Sequence, residues 1–434
     1  MNMRFLSVLL LPGLIQAQGS LTPPAGPAGP TMKTLQQVEP RTPLTAGAAG
    51  VSTDAASEFI ISQPGSYYLT GNLAVTKTNG IVIQSPGVHL DLSGFEIKKT
   101  TGSGGAGILL GIATATGAVI SHGTVSGSFY MGIDASTNSV PDGRADRLVF
   151  TALVSNPGGN DGAIRAANGW HLSDCTAYLL GAGVPAFDCD EQTCIERCTA
   201  RHCQWSFWCG NNSTVRDCHA TDGTWYGILT GDKSLISGCV VDSATGFGIS
   251  SGSNTMVINC NVSGTKKDAE GFGSGDGIFL ESYSKAVNCI SSGNLQHGIV
   301  SNAQWTVVKD CSCYSNTGSG IQSWTDNTVT GNKLCNNKTG ITVPDGARNA
   351  ILDGNHVQLS GAAAGTGIEV AANVRALIVR NVVKTESGTA YSIGAGNRYG
   401  AIVDTRATAG LAAVSGFAAA GNLTTTDPFA NFSQ

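Results

Sequence analysis

Two landmarks recur together along most of this chain. The first is a Gly-Ile pair, beginning at Gly80, Gly107, Gly132, Gly227, Gly248, Gly277, Gly298, Gly320, Gly340 and Gly367, with weaker counterparts at Gly162-Ala163, Gly183-Val184 and Ser206-Phe207. The second follows within each repeat: an apolar residue, two mostly polar ones, then a small residue. Val215-Arg216-Asp217-Cys218, Ile236-Ser237-Gly238-Cys239 and Val308-Lys309-Asp310-Cys311 are examples. Aligned through the repeats, the small position reads Gly94, Gly123, Thr151, Cys175, Cys198, Cys218, Cys239, Cys260, Cys289, Cys311, Asn332, Asn355, Asn381. Two residues further on, the column is mostly apolar: Val125, Leu153, Ala177, Val241, Val262, Leu334, Val357 and Val383. Ser206, Gly227 and Gly248 are 21 residues apart, and so are Gly277 and Gly298.

Alternation with period two makes strands, and a recurring polar break makes a corner. Coils this short leave no room for long helices, and no stretch shows helical periodicity. Stacked coils place like residues above one another at roughly 4.8 Å. One repeated small residue type then suits one repeated volume. The predicted fold is all-β, a single-stranded parallel β-helix of about a dozen coils.

Composition agrees with many short strands and tight turns. Gly is over-used at 58 residues, while charged residues make up 13% and aromatics 6%. The net charge of −5 comes with no basic stripe, which argues against a nucleic-acid partner. Residues 1–17 read as a signal peptide: Arg4 precedes the apolar run Phe5 to Ile15, and Ala17 offers a small residue for cleavage. That run is too short for a transmembrane anchor, and no later stretch is long enough. The expected localisation is secreted or cell-surface. Residues 18–56 are rich in Pro, Gly and Ala and read as a linker, residues 57–404 as the β-helix, and residues 405–434 as a C-terminal cap or tail.

Over residues 57–404 the chain resembles the pectin-lyase-like superfamily of right-handed parallel β-helices. The entry segment Ile61-Ser62-Gln63-Pro64-Gly65-Ser66-Tyr67-Tyr68-Leu69-Thr70 and the stretch Val88-His89-Leu90-Asp91-Leu92-Ser93-Gly94-Phe95 resemble the first coil of a functionally undefined group of secreted bacterial β-helix repeat proteins. The segments from Lys33 to Pro43 and from Asp427 to Phe432 resemble that group's ends. The resemblance implies right-handedness and a substrate groove along the strand that begins at Gly-Ile.

Seven of the 13 cysteines fall in the small column, from Cys175 to Cys311. In-register neighbours stand too far apart for an ordinary disulfide, so this cysteine ladder reads as buried thiols. Cys189, Cys194, Cys203 and Cys209, with His202 nearby, leave a local disulfide, free thiols or a zinc site open. Cys313 and Cys335 read as core thiols.

Two oversized loops, 136–147 and 264–276, suggest walls of a channel for an oligosaccharide. They carry Asp142 and Arg144, and Lys266 and Lys267, as substrate-binding candidates. Trp205, Trp208 and Trp225 lie in the interval between them, together with Phe207, Tyr226 and Phe247. Flat rings there would stack on sugar faces, with Trp208 on the outward parity. Tyr226 and Phe247 read instead as an aromatic stack in the core.

Asp276 and His297, on adjacent coils, are the candidate catalytic pair, a carboxylate beside an imidazole. Paired carboxylates for glycoside hydrolysis come from Asp134 with Asp161 or Asp276 with Glu281. The Asp-Asp and Arg-x-Lys patterns of polygalacturonase-like enzymes are absent. No cofactor is identified; a lyase of this superfamily would imply Ca2+. The expected function is therefore polysaccharide or cell-surface glycan binding along the first strand of each coil. A polysaccharide lyase or glycoside hydrolase is the alternative, and a structural cell-surface solenoid the second.

Overall fold

Most repeats fold into one coil of three short strands; in two coils the second and third run together, as Val119–Gly127 and Arg144–Thr151, and strands of successive coils pair in parallel. The computed structural model describes residues 40–434 except 158, 160, 179, 182, 268–272, 361–364, 387, 406–413, 417–419 and 422–425. The signal peptide and residues 18–39 lie outside the described residues. The solenoid occupies Thr42–Gln434 and has about 15 turns. The sequence count falls short because the first and last coils lack Gly-Ile: Phe59 pairs with Ile81 at one end, and Ile368 with Tyr391 at the other.

The Gly-Ile strands form one sheet. The two strands that follow in each coil form a continuous 31-stranded sheet folded along a corner. That corner explains the apolar–polar–polar–small motif. The second polar residue takes a left-handed conformation, as at Asp217 (φ 53°), Asn259 (56°), Asn288 (53°) and Asp310 (53°), and the next residue turns back into the core. Asp and Asn tolerate that conformation better than most residues.

Inside the corner lies the thiol column. Cys175, Cys198, Cys218, Cys239, Cys260, Cys289 and Cys311 are buried, and each donates its S–H to the carbonyl two residues earlier, at 3.2–3.4 Å. All 13 cysteines are free thiols. The column passes to asparagine where Asn332 accepts the Cys311 N–H at 2.9 Å. Asn332, Asn355, Asn381 and then Asn431 pass amide hydrogen bonds from coil to coil at 2.9–3.1 Å. Two more ladders escaped the sequence reading: Asn294–Asn316–Asn337, and the buried hydroxyls of Ser213, Ser234, Thr255 and Ser284, which accept N–H groups of the preceding coil.

The glycine of Gly-Ile is there for lack of space. A Cβ on Gly227 would stand 2.3 Å from Val241 Cγ1 and 2.6 Å from the carbonyl oxygen of Gly248. Gly107 meets Val125, Gly248 meets Val262 and Gly367 meets Val383 in the same way. Where the position does carry a side chain, the residue 14 further on is smaller: Ala177 after Ala163, Ala200 after Ala186, Ala220 after Ser206.

Those residues also correct the sequence register. Ile133 pairs with Ile164, Ile164 with Phe187, and Phe187 with Phe207. The true counterparts of Gly-Ile are therefore Ala163-Ile164 and Ala186-Phe187, not Gly162-Ala163 and Gly183-Val184. Likewise Val125 pairs with Phe150, which displaces Leu153 from the apolar column, and Gly123 with Leu148, which displaces Thr151 from the small column.

Both ends are covered. Thr42–Pro43 pairs with Tyr67–Tyr68, and Val51–Ser52 runs antiparallel to Ile60–Ile61, so residues from Thr42 on join the solenoid rather than the linker. At the other end Asn431–Ser433 pairs with Ile402–Asp404, and Tyr391 Oη donates to the Asn381 and Phe432 carbonyls. Such additions blunt open sheet edges.

Candidate functional site

On the Gly-Ile sheet the residue after each buried Ile or Phe points outward. Through four successive coils this outward row reads Asp134, Arg165, Asp188, Trp208, and then Leu229. Asp134 is occupied by its own turn: its carboxylate accepts hydrogen bonds from the backbone N–H groups and hydroxyls of Ser136 and Thr137. Arg165 Nε lies 3.3 Å from Asp188 Oδ2. Asp188 is only 8% exposed. Burial pushes its carboxyl up to about 6; Arg165 opposes this, while Asp190 and Asp161 reinforce it.

Beside this row is a cleft of about 350 Å³, lined by Asn156, Asp161, Arg165, Asp188, Gln204 and the three tryptophans, among others. Trp205 and Trp225 sit at the corner just before the Gly-Ile strand. Their rings lie 5.3 Å apart, and Trp205 meets Trp208 edge-on at 4.9 Å and 75°. Trp208 is 36% exposed, and the Trp205 indole N–H is buried without a hydrogen-bond partner. Asp161 Oδ2 accepts the Asn156 N–H at 2.8 Å, and both residues line the cleft. The arrangement offers flat apolar faces beside a charged pair, which suits a ligand with both carbon faces and hydroxyls.

The sequence-selected tryptophans thus come together. The other candidates fare differently. Asp276 is buried, accepts the His297 backbone N–H at 2.9 Å, and bonds Ser274 Oγ through its other oxygen. His297 Nδ1 accepts the Ser319 N–H at 2.9 Å, and burial lowers the imidazole's pKa although Asp276 opposes the shift. The carboxylate bonds the His297 backbone and the Ser274 hydroxyl, the imidazole bonds the Ser319 backbone, and neither lines the cleft. Arg144 lies in the strand Arg144–Thr151 of the folded sheet, not in a loop, with exposed Asp142 just before it. Neither borders the tryptophans. Lys266 and Lys267 are exposed, and Lys266 bridges Thr245 at the corner that carries Trp225, two coils along. Residues 268–272 of that loop lie outside the described residues.

Tyr226 and Phe247 stack at 5.8 Å, but half-buried on the outer side rather than in the core. Cys189, Cys203 and Cys209 point inward, and burial pushes the thiols of Cys189 and Cys209 well up. Cys194 points outward and lies against His171, not against these three or His202. Arg165 and Asp188 were missed because a register anchored on Gly162 and Gly183 sets the outward parity wrong in both coils.

With the fold and the cleft established, the chain belongs to the family described as "Right handed beta helix region", whose profile matches residues 162–304 and 207–383. It is a right-handed, single-stranded parallel β-helix of the pectin-lyase-like type. Among solved structures it is similar to the A-module of the Azotobacter vinelandii mannuronan C-5 epimerase AlgE6, at 15% identity and a TM-score of 0.44, over 77% of this chain and 90% of that one. It is also similar to the periplasmic alginate epimerase AlgG, at 14% identity and a TM-score of 0.34, over 85% of this chain and 80% of that one. The catalytic domain of a GH87 α-1,3-glucanase matches at 10% identity and a TM-score of 0.42, over 84% of this chain and 68% of that one. No curated protein matches the chain. No helix among the described residues is long and apolar enough to cross a membrane.

Proposed function

We propose that this protein is exported and binds polysaccharide in the groove along its Gly-Ile sheet, centred on the cleft of Trp205, Trp208 and Trp225. One observation carries the reading: three tryptophans converge on one cleft beside buried Asp188 and its partly exposed partner Arg165. The rings supply stacking faces, and the pair and Asn156 supply hydroxyl partners. Lys266 and Lys267, further along the same corner, would meet a chain that extends past Trp225.

A second reading, cleavage, is favoured by Asp188 itself. A carboxyl pushed up to about 6 keeps its proton to a higher pH than an ordinary aspartate does, which suits a general acid in mildly acidic conditions. Incubation of the purified protein with a panel of acidic and neutral polysaccharides separates the two, following retention together with new reducing or unsaturated ends. Retention without new ends supports binding alone, and new ends abolished by Asp188→Asn support cleavage. Failure to retain any member of the panel sinks both readings.

A further inference from the structure

The cluster His171, Cys194 and Glu196 lies on the folded sheet, apart from the tryptophan cleft. His171 and Cys194 are lateral partners in adjacent strands, and Glu196 follows two residues after Cys194 on the same outward face. Between them, Leu172 and Ile195 point into the core and hold both strands in place. One imidazole nitrogen, the Cys194 sulfur and one carboxylate oxygen all fall within 4.8 Å of one another. His171 Nε2 is buried and makes no hydrogen bond, although Glu196 Oε1 is 3.3 Å away. The His171 side chain is partly exposed, but this ring nitrogen is shielded from solvent and, beside Glu196 alone, faces a sulfur and a carboxylate oxygen, the arrangement of a metal donor set.

We propose that His171, Cys194 and Glu196 form a three-ligand site for a divalent transition-metal ion of the zinc class. Nitrogen, sulfur and oxygen donors in one small cluster match that class, and three protein ligands leave a fourth position open. Thiolate and carboxylate bring two negative charges to the ion, and the imidazole binds neutral. Binding releases the Cys194 proton to solvent.

Two guanidinium groups compete for the same carboxylate. Arg216 bonds Glu196 Oε2, and Arg197 Nη1 lies 3.0 Å from Oε1. Arg197 is also held by Asp174 through two hydrogen bonds of 2.9 Å, so it keeps a partner when a metal takes Oε1. The site is therefore one of moderate affinity, tuned by Arg197.

The test uses the full chain under a non-chelating reductant, titrated with Zn2+ by calorimetry and with Co2+ by absorbance. One ion per chain is expected, with a thiolate-to-cobalt charge-transfer band and a tetrahedral d–d spectrum. Cys194→Ser should abolish the charge-transfer band, and His171→Gln should weaken Zn2+ binding by at least about 10–100-fold. Arg197→Gln should tighten binding several-fold, an effect that a merely structural cluster would not produce. Circular dichroism checks that each variant folds. No stoichiometric binding, or a band unchanged in Cys194→Ser, overturns the proposal, and the wild-type titration alone decides if a variant fails to fold.

Discussion

At the position of Gly227 a single methyl group has nowhere to go. Its Cβ would overlap Val241 and the Gly248 carbonyl, so Gly227→Ala should cost about 1–3 kcal/mol through overpacking. Val241→Ala in the same chain should recover part of that loss, as the natural Ala163/Ala177 and Ala186/Ala200 combinations suggest. Thermal midpoints of the two single variants and the double variant measure this coupling. Asp188 makes a second prediction at this scale. Its folded pKa of about 6 exceeds the ordinary aspartate value of 3.8, so between these pH values the folded state holds more protons than the unfolded one. Stability therefore falls as pH rises from about 4 to about 6, by about 3 kcal/mol in all, and stays lower above that window. Asp188→Asn should remove this slope, read as the difference between the two stability-versus-pH curves. An unchanged slope would mean that Asp188 titrates normally.

At the scale of the element, the corner ladders differ in what they cost to break. Asn355 donates to Asn381 Oδ1 and the Val329 carbonyl, and accepts from both nitrogens of Asn332. Asn355→Ala strands several buried groups at about 1–3 kcal/mol each. Cys260→Ala removes one buried sulfur and a weak S–H donor, at about 1 kcal/mol. Denaturation should rank the asparagine variant as clearly the less stable; equal losses would contradict the amide ladder. The Cys-to-Asn column was legible in the sequence because each member closes the same corner motif, after a residue such as Asp217, Gly238 or Asn259 that takes the left-handed conformation. Its last member, Asn431, was not, since the closing segment arrives by a long connection rather than by the repeat. The hydroxyl ladder was hidden too, because Ser and Thr are equally common at exposed turns.

For the whole solenoid, legibility depended on register. Where Gly-Ile is intact, strand, corner and column positions follow from spacing alone. From Gly162 to Ser206 the glycine gives way to Ala163, Ala186 and Ser206, and nearby glycines at 162 and 183 mimic the signal. That lapse coincides with the cleft. The tryptophans were legible as residues rare elsewhere in the chain. The Arg165–Asp188 pair was not, because it depends on knowing which face each residue takes. Asp276 and His297 stand out for their chemistry on adjacent coils, but Asp276 is taken up by the His297 backbone and the Ser274 hydroxyl, and the His297 ring by the Ser319 backbone.

The central claim is that the tryptophan cleft, rather than exposed aromatic surface in general, binds polysaccharide. Trp305 and Tyr283 are more exposed than Trp208, yet neither borders the cleft. The most direct test is calorimetric titration of wild type, Trp208→Ala and Trp305→Ala with whichever polysaccharide the protein retains. The account predicts that Trp208→Ala binds at least about tenfold more weakly, a loss of about 1.4 kcal/mol or more, while Trp305→Ala binds as wild type does. Full affinity in Trp208→Ala, or its loss in Trp305→Ala, would contradict it.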